Sequence, residues 1–220
     1  MNNNTIRKLL INILLASAGL FSFGFGVYLT IQADIGAAPW DVFELGLSKT
    51  LGITYGNASI LVSVVILVID VLMKEKIGIG MFLDAFIVGK TVDLFNRLNP
   101  VPAIGKLFPG IVVMIAGLVI MGFSQYLYMK AASGCGPRDT LLVGLSRRLK
   151  KIPIGLISIC ILSVVTAAGW LLGGPTGIGT LVCAFLTGPI MQLAFRIMKF
   201  EPTAVRHQSL MESIRMLFRK

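Results

Sequence analysis

Charged residues are scarce in this sequence. They make up 14% of its 220 residues, whereas about a quarter of an ordinary soluble domain is charged. Hydrophobic residues make up 55%, and the mean hydropathy is +0.86. So little charge over such long apolar runs excludes an ordinary soluble domain. It predicts helices that cross a membrane, each of about 20 residues.

Histidine and cysteine are also rare. His207 is the only histidine and lies in a polar tail, while Cys135, Cys160 and Cys183 have no C-x-x-C spacing. We therefore expect no metal site, no cofactor and no nucleophile–histidine catalysis, and we do not expect an enzyme. The cysteines are predicted to pack as small apolar side chains.

The net charge of +10 does not indicate nucleic-acid binding, because the basic residues follow the loops between apolar runs. With the N-terminus inside, sixteen Lys and Arg residues fall on the cytoplasmic side and only Lys49, Arg97 and Lys106 fall outside. This asymmetry is the positive-inside pattern of membrane proteins. It predicts that both termini are cytoplasmic.

Six apolar runs are long enough to span a membrane. We predict spans at Leu9–Ile31, Asn57–Met73, Ile77–Leu98, Phe108–Met129, Ile154–Leu172 and Ile178–Met198.

The sequence also repeats itself at an offset of 98 residues. Gly36, Pro39, Asp41, Gly46, Leu47 and Ser48 recur as Gly134, Pro137, Asp139, Gly144, Leu145 and Ser146. Each copy contains three spans, an odd number, so the two copies must enter the membrane from opposite sides. We predict an all-α polytopic membrane protein made of two inverted-topology three-helix repeats, residues 1–105 and 106–199, followed by a cytoplasmic tail, residues 200–220.

Each copy of the motif lies between the first and second spans of its repeat. The stretch from Ala38 to Leu51 is too short to span and too apolar for a simple loop. It predicts a short helix that lies at the interface or re-enters the membrane. Pro39 suits the first helical turn, where Asp41 would meet free N–H groups and the positive end of the helix dipole.

Side chains of the motif share one helix face. Asp41, Glu44 and Ser48 are spaced i, i+3, i+7, and Asp139 and Ser146 keep the same spacing in the second copy. An apolar residue replaces Glu44 there.

Two interpretations of the motif stay open. In the functional one, both motif helices point their N-termini at a central polar cavity, where N–H groups hold an anionic group and aspartates bind a cation or proton. In the structural one, glycine and proline shape a turn and the aspartate caps a helix. The residues concerned are Gly36, Pro39, Asp41, Gly134, Gly136, Pro137 and Asp139.

Trp40 and Arg138 occupy the same repeat position with different chemistry. Trp40 is expected to be an interfacial aromatic. Arg138 is expected to pair with Asp139 or to bind lipid phosphate, with a substrate anion as the minor alternative.

The predicted third span carries unusual charges. Asp84 and Lys90 lie well inside it, and ionisable residues within a span indicate function. Asp93 is expected to pair with Lys90 three residues away. At the end of the preceding span, Asp70 is expected to pair with Lys74.

The polar tail beyond Met198 predicts an amphipathic helix on anionic lipid at the cytoplasmic face. A helix that binds a partner protein is the alternative.

Several segments carry a family resemblance. They are the P-W-D region at residues 36–48, G-I-T-Y-G at 52–56, G-C-G-P-R-D at 134–139, G-W-L-L-G-G at 169–174 and G-I-G-T at 177–180. These segments resemble the YczE/YitT group of bacterial integral membrane proteins, and most of all its YczE-like branch. The resemblance covers nearly the whole chain and implies a bacterial cytoplasmic membrane protein. It supplies no catalytic residues.

Two functions compete on these grounds. The leading hypothesis is a small secondary transporter or exporter of a small molecule or ion, with a site between the repeats that uses Asp41, Asp84, Lys90 and Asp139. The alternative is a non-transporting scaffold or regulatory factor, with the basic loop Arg147 to Lys151 and the tail as its docking surface. A channel and a homo-oligomer also stay open.

Overall fold

The computed structural model describes residues 3–75, 77–131 and 136–201. This part of the chain forms eight α-helices and no strand. The helices are α1 (Asn3–Gln32), α2 (Pro39–Leu51), α3 (Tyr55–Leu72), α4 (Ile79–Leu98), α5 (Leu107–Lys130), α6 (Pro137–Arg148), α7 (Ile154–Leu171) and α8 (Ile178–Ile197). Gly134, Cys135 and residues 202–220 of the predicted tail lie outside the described residues.

The long helices lie where apolar runs predicted them, and the all-α class is confirmed. Five of them, α1, α3, α5, α7 and α8, are long and apolar enough to cross a membrane. The remaining long helix, α4, has 20 residues but carries Asp84, Lys90 and Asp93 within them. The six-span count stays a prediction.

Two short helices follow α1 and α5, as the repeated motif predicts. In α2, Pro39 occupies the first turn, Asp41 lies near the free N–H groups, and Gly52 ends the helix with φ +66°. In α6, Pro137 and Asp139 hold the matching positions. These helices of 13 and 12 residues are about 20 Å long, too short for a hydrocarbon core of about 30 Å.

α1 and α5 cross in an antiparallel sense through small residues. A Cβ placed on Gly19 would lie 3.1 Å from the carbonyl oxygen of Ser124, and one on Gly26 would lie 2.8 Å from that of Gly117. Glycine therefore lets the two backbones touch. Gly19 corresponds to Gly117 in the repeat, and Gly26 corresponds to Ser124. The two contacts are thus the same contact made twice.

The other helix contacts are also matched between the first half of the chain (α1–α4) and the second half (α5–α8). α1 packs on α4 as α5 packs on α8, and α2 packs on α7 as α6 packs on α3. Gly24 lies against Thr91, and their repeat equivalents Gly122 and Ile190 also touch. One pair is unmatched: α3 packs along α4, while α7 and α8 make few contacts.

The segment before α2 is tied to the start of α8. The N–H of Ala37 donates to the oxygen of Pro175 (3.2 Å), and the N–H of Gly179 donates to the oxygen of Ile35 (2.8 Å). Between them, Gly36 has φ +111°, a conformation that favours glycine. These backbone bonds join the motif of the first half to the second half.

Candidate functional site

Charged side chains from three helices meet where α2 and α6 begin. α2 supplies Asp41 and Glu44, α4 supplies Asp84, and α6 supplies Arg138 and Asp139. Arg138 and Glu44 act electrostatically on both Asp41 and Asp84, and Asp139 also acts on Asp84. We call these five residues the acidic cluster. Both halves of the chain contribute to it.

An ion pair crosses from one half to the other inside the acidic cluster. Arg138 donates from Nη2 to Oε1 of Glu44, and its guanidinium carbon lies 5.1 Å from the ring centre of Trp40. Glu44 is fully buried, and its second oxygen, Oε2, has no hydrogen-bond partner in the described part. The direct ion pair of Arg138 is therefore with Glu44 and not with Asp139 as predicted, although the charge of Arg138 also acts on Asp139. Trp40, expected to be only an interfacial aromatic, contacts Arg138.

Asp41 is held by a tyrosine from the neighbouring helix. The hydroxyl of Tyr55 donates to Oδ1 of Asp41 at 2.8 Å, and Asp41 is 4% exposed. Burial and the nearby Glu44 raise the pKa of Asp41 to about 7, although Arg138 and the Tyr55 hydrogen bond act in the opposite direction. Asp41 therefore gains or loses a proton near neutral pH. Sequence reasoning missed Tyr55, whose only signal was its place in G-I-T-Y-G.

Asp84 and Asp139 approach each other beside Gly136. A Cβ on Gly136 would lie 2.8 Å from Oδ2 of Asp84 and 4.0 Å from Oδ2 of Asp139. The missing side chain leaves room for the two carboxyls. Burial raises the pKa of Asp139, and the charge of Arg138 opposes that rise. The negative charge of Asp139 acts on Asp84, so a proton or a cation near the two carboxyls would relieve their repulsion.

The charges of the acidic cluster do not balance. Four carboxyl groups surround one guanidinium, so full ionisation would leave three uncompensated negative charges. Such an excess is costly away from water. The cluster is therefore suited to holding protons or cations. Within the described residues, no three acidic, histidine or cysteine side chains converge as metal ligands would.

Some predicted site residues lie away from the acidic cluster. Lys90 is exposed and donates from Nζ to Oδ1 of Asn57 at 2.8 Å. Ser48 donates to the oxygen of Ile53 at 2.6 Å and closes the end of α2. Ser146 is half-buried on α6, about 10 Å along the helix from the start of the cluster.

Asp93 has a structural role instead of the predicted pairing with Lys90. Its carboxylate accepts from Oγ1 of Thr54 (2.7 Å) and from the N–H of Gly56 (2.8 Å). These bonds hold the first turn of α3 to α4. The predicted Lys90–Asp93 pair is wrong.

The predicted pair of Asp70 and Lys74 is also wrong. Asp70 is fully buried, and neither of its carboxylate oxygens has a hydrogen-bond partner in the part of the chain that the structure describes. Lys74 is exposed and adopts a positive φ of 55°.

A cavity of about 640 Å³ lies between α7 and α8 and is open on one side. Its walls are mostly aliphatic and aromatic, with four hydroxyl groups. The lining residues are Pro39, Ile159, Leu162, Ser163, Thr166, Ala167, Trp170, Thr176, Thr180, Leu181, Ala184 and Phe185. Pro39 is the first residue of α2 and precedes Asp41 by two positions. The cavity therefore extends to the first turn of α2, the helix that supplies Asp41 and Glu44 of the acidic cluster.

Long apolar helices around an acidic cluster, of which Asp41 and Glu44 are buried, identify the described part as that of an all-helical membrane protein. Within that class, the chain belongs to a family of unknown function, DUF6198, whose model matches residues 10–196. The chain is 33% identical over 179 residues to the uncharacterised membrane protein YczE of Bacillus subtilis, covering 80% of this chain and 82% of YczE. The resemblance to the YczE-like branch and the membrane location are thereby confirmed.

Two further relatives are similar over most of their length. The chain is 30% identical over 193 residues to the uncharacterised protein YyaS of Bacillus subtilis, covering 86% of this chain and 92% of YyaS. It is 27% identical over 187 residues to an uncharacterised protein of Haemophilus influenzae, covering 85% and 84%. No solved structure matches the chain.

Proposed function

We propose that this protein is a small secondary transporter that moves a small molecule or ion between its two halves, past the acidic cluster. The observation that carries the proposal is the ion pair between Glu44 of α2 and Arg138 of α6. It brings ionisable side chains of both halves into contact, and Oε2 of Glu44 has no hydrogen-bond partner in the described part. Ionisable groups inside a membrane protein usually mark a substrate or proton pathway.

The proposal includes six spans arranged as two inverted repeats. The antiparallel crossing of α1 and α5, with its contact made twice, is what a two-fold axis in the membrane plane would produce. α4 would be the sixth span. Two of its charged residues face neighbouring helices, because Asp84 lies in the acidic cluster and Asp93 binds α3.

In this arrangement α2 and α6 are re-entrant helices. Non-helical backbone is tolerated at membrane depth where protein covers it or where it lines a polar cavity. The segment before α2 meets that condition through its bonds to Pro175 and Gly179. Both short helices would then present their N-terminal turns near the midplane, as the broken helices of transporters do.

We place the protein in the bacterial cytoplasmic membrane, with both termini cytoplasmic. The support is the sixteen-to-three distribution of Lys and Arg. Reporter fusions at Ser48 and Ser146 test both the topology and the inversion. We expect the first to be outside and the second inside. Fusions found in the same compartment would remove the inverted repeat.

The scaffold alternative has weaker support. Its predicted docking loop includes Arg147 and Arg148, and both bind Glu75, at 2.9 Å and 3.0 Å. These two arginines therefore tie α6 to the loop between α3 and α4. A docking role would also leave the acidic cluster without a task.

Flux through liposomes that contain the purified protein tests transport directly. The probes are radiolabelled tetraphenylphosphonium, methylammonium, phosphate and acetate, each driven by an imposed gradient. We expect protein-dependent flux of at least one probe, reduced at least tenfold by Asp139→Asn. The control is Asp34→Asn, which removes an exposed carboxylate outside the acidic cluster.

Two results would count against transport. One is the absence of flux for every probe from folded protein. The other is a soluble protein that crosslinks in equal amount and is lost when Arg147 and Arg148 are changed, which would favour the scaffold.

A further inference from the structure

We infer that the acidic cluster binds a lipophilic organic cation, which reaches it from the cavity between α7 and α8. The inference builds on the proposed function by naming its substrate class. Binding is measured without movement across a membrane, so its failure can be told apart from a failure of transport.

The balance of charge at this site disfavours an anionic ligand. The positive group of the acidic cluster is Arg138, and Glu44 already neutralises it. An incoming anion would also face Asp41, Asp84 and Asp139. A cation, in contrast, meets an open acceptor, because Oε2 of Glu44 is fully buried without a hydrogen-bond partner in the described part.

The position of Arg138 shows what kind of cation the site accepts. Its planar, delocalised guanidinium lies over the ring of Trp40 at 5.1 Å while it binds Glu44. An aromatic face beside a carboxylate favours weakly hydrated cations with spread charge. Arg138 thus occupies a place that the charged end of such a substrate could share or take.

The cavity indicates that the substrate is bulky and apolar. Its volume of about 640 Å³ falls in the range of roughly 300–1,000 Å³ that holds drug-sized ligands. The wall is built from groups such as Leu162, Trp170 and Phe185, with hydroxyls of Thr166 and Thr180 among them. A small hydrated ion would gain nothing from such a wall, whereas a lipophilic cation would bury its apolar body there.

Proton exchange follows from the same geometry. The titratable groups that face Asp41 are Glu44 on its own helix, Tyr55 on α3, Arg138 on α6 and Cys183 on α8. The sequence of α7 contains no charged residue. A bound cation favours ionised carboxylates, so its arrival releases protons and its affinity rises with pH.

Equilibrium dialysis of the purified full-length chain tests the inference. The probe is radiolabelled tetraphenylphosphonium, and the matched control ligand is tetraphenylborate, which has nearly the same shape and the opposite charge. We expect saturable binding of the cation and at least tenfold weaker binding of the anion. Raising the pH from 6 to 8 should strengthen cation binding about tenfold for each proton released.

Variants separate the acidic cluster from the cavity. Glu44→Gln and Asp84→Asn should each weaken binding of tetraphenylphosphonium at least tenfold, while Asp34→Asn leaves it unchanged. Ala184→Phe, which fills part of the cavity wall, should weaken it as well. If Ala184→Phe left binding unchanged, the cation would not reach the acidic cluster through the cavity. That result would indicate that lipid or a second copy of the chain covers the cavity.

Further results would decide between the inference and the transport proposal. Equal binding of cation and anion, or binding that Glu44→Gln and Asp84→Asn do not alter, would overturn the inference. Where a variant fails to fold, the anion comparison and the pH series on the unaltered chain give the decision. Cation binding without flux would remove transport alone, and flux restricted to phosphate or acetate would remove the inference alone.

Discussion

The two halves of the molecule differ most where α3 meets α4 and where α7 meets α8. In the first half the helices touch closely: a Cβ on Gly89 would lie 2.8 Å from the oxygen of Gly56. In the second half the corresponding helices make few contacts and enclose one side of the cavity. The other principal contacts between helices are matched, so this difference is local.

The sequence offers a physical cause for the difference. In the first half Asp93 of α4 binds Thr54 and Gly56 at the start of α3. With the extra residue of the second copy, Gln192 takes the place of Asp93 and is exposed, and Pro153 takes the place of Thr54. The second half therefore lacks both the acceptor and the hydroxyl donor. Under the proposed function, we expect α3 and α4 to separate from each other in the state in which α7 and α8 pack together.

The largest effect should come from removing the contact that closes the first half. Asp93→Ala deletes two hydrogen bonds to a charged group and leaves the buried N–H of Gly56 without its acceptor. We expect a loss of about 3 kcal/mol in the free energy of unfolding, measured by thermal melting in detergent. Gln192→Ala is the matched control and should change it by no more than about 0.5 kcal/mol. Similar losses in both variants would contradict the comparison.

The short helices provide a second test across the halves. A Cβ on Gly46 of α2 would lie 2.6 Å from the backbone oxygen of Gly169, whereas one on Gly144 of α6 would meet side-chain atoms of Glu75 and Met73 at 3.0 Å. A helix backbone cannot move aside for an added methyl group, whereas side chains can change their rotamers to make room for it. Gly46→Ala should cost about 1–3 kcal/mol, and Gly144→Ala clearly less, by the same melting assay. The reverse order would show that α2 is the looser helix.

The pH dependence of stability sharpens the comparison at the acidic cluster. The pKa of Asp41 is about 7 in the folded protein, against 3.8 for an unperturbed aspartate. Between those values the folded state holds more protons than the unfolded state, so stability falls as the pH rises through this window. The melting temperature should therefore drop between pH 5 and 7. Asp41→Asn should make that slope shallower, and an unchanged slope would assign the titration to another group.

The smallest effect concerns Asp70, a buried carboxyl for which the second copy has Gly169 instead. Both oxygens of Asp70 lack a hydrogen-bond partner in the described part, so no hydrogen bond offsets the cost of burying the carboxyl. Asp70→Asn removes that carboxyl. We expect stability to stay the same or to rise by about 1 kcal/mol, seen as a melting temperature higher by about 2–4 °C. A clear loss would show that Asp70 has a partner at this site.

Local features of the chain could be predicted from the sequence. Hydropathy predicted the long helices, and the repeated proline and aspartate predicted α2 and α6. Periodicity also placed Asp41 and Glu44 on one face. These features depend on residues close together in the chain.

The partners could not be predicted in the same way. Lys90 and Asp93 have ideal spacing for a pair, yet each binds a group on another element. The contact of Trp40 with Arg138 depends on how two distant helices cross. The gap between α7 and α8 could not be predicted either, because apolar helices that pack together and apolar helices that stay apart have similar sequences.

The interlocking of α2 with α7 and of α6 with α3 has a consequence for how the protein is assembled. Neither half alone can cover the glycine backbone of its own short helix. A chain cut within residues 99–106 should regain its fold when both fragments are made in the same cell. Either fragment made alone would leave that backbone facing lipid and would be cleared by proteolysis.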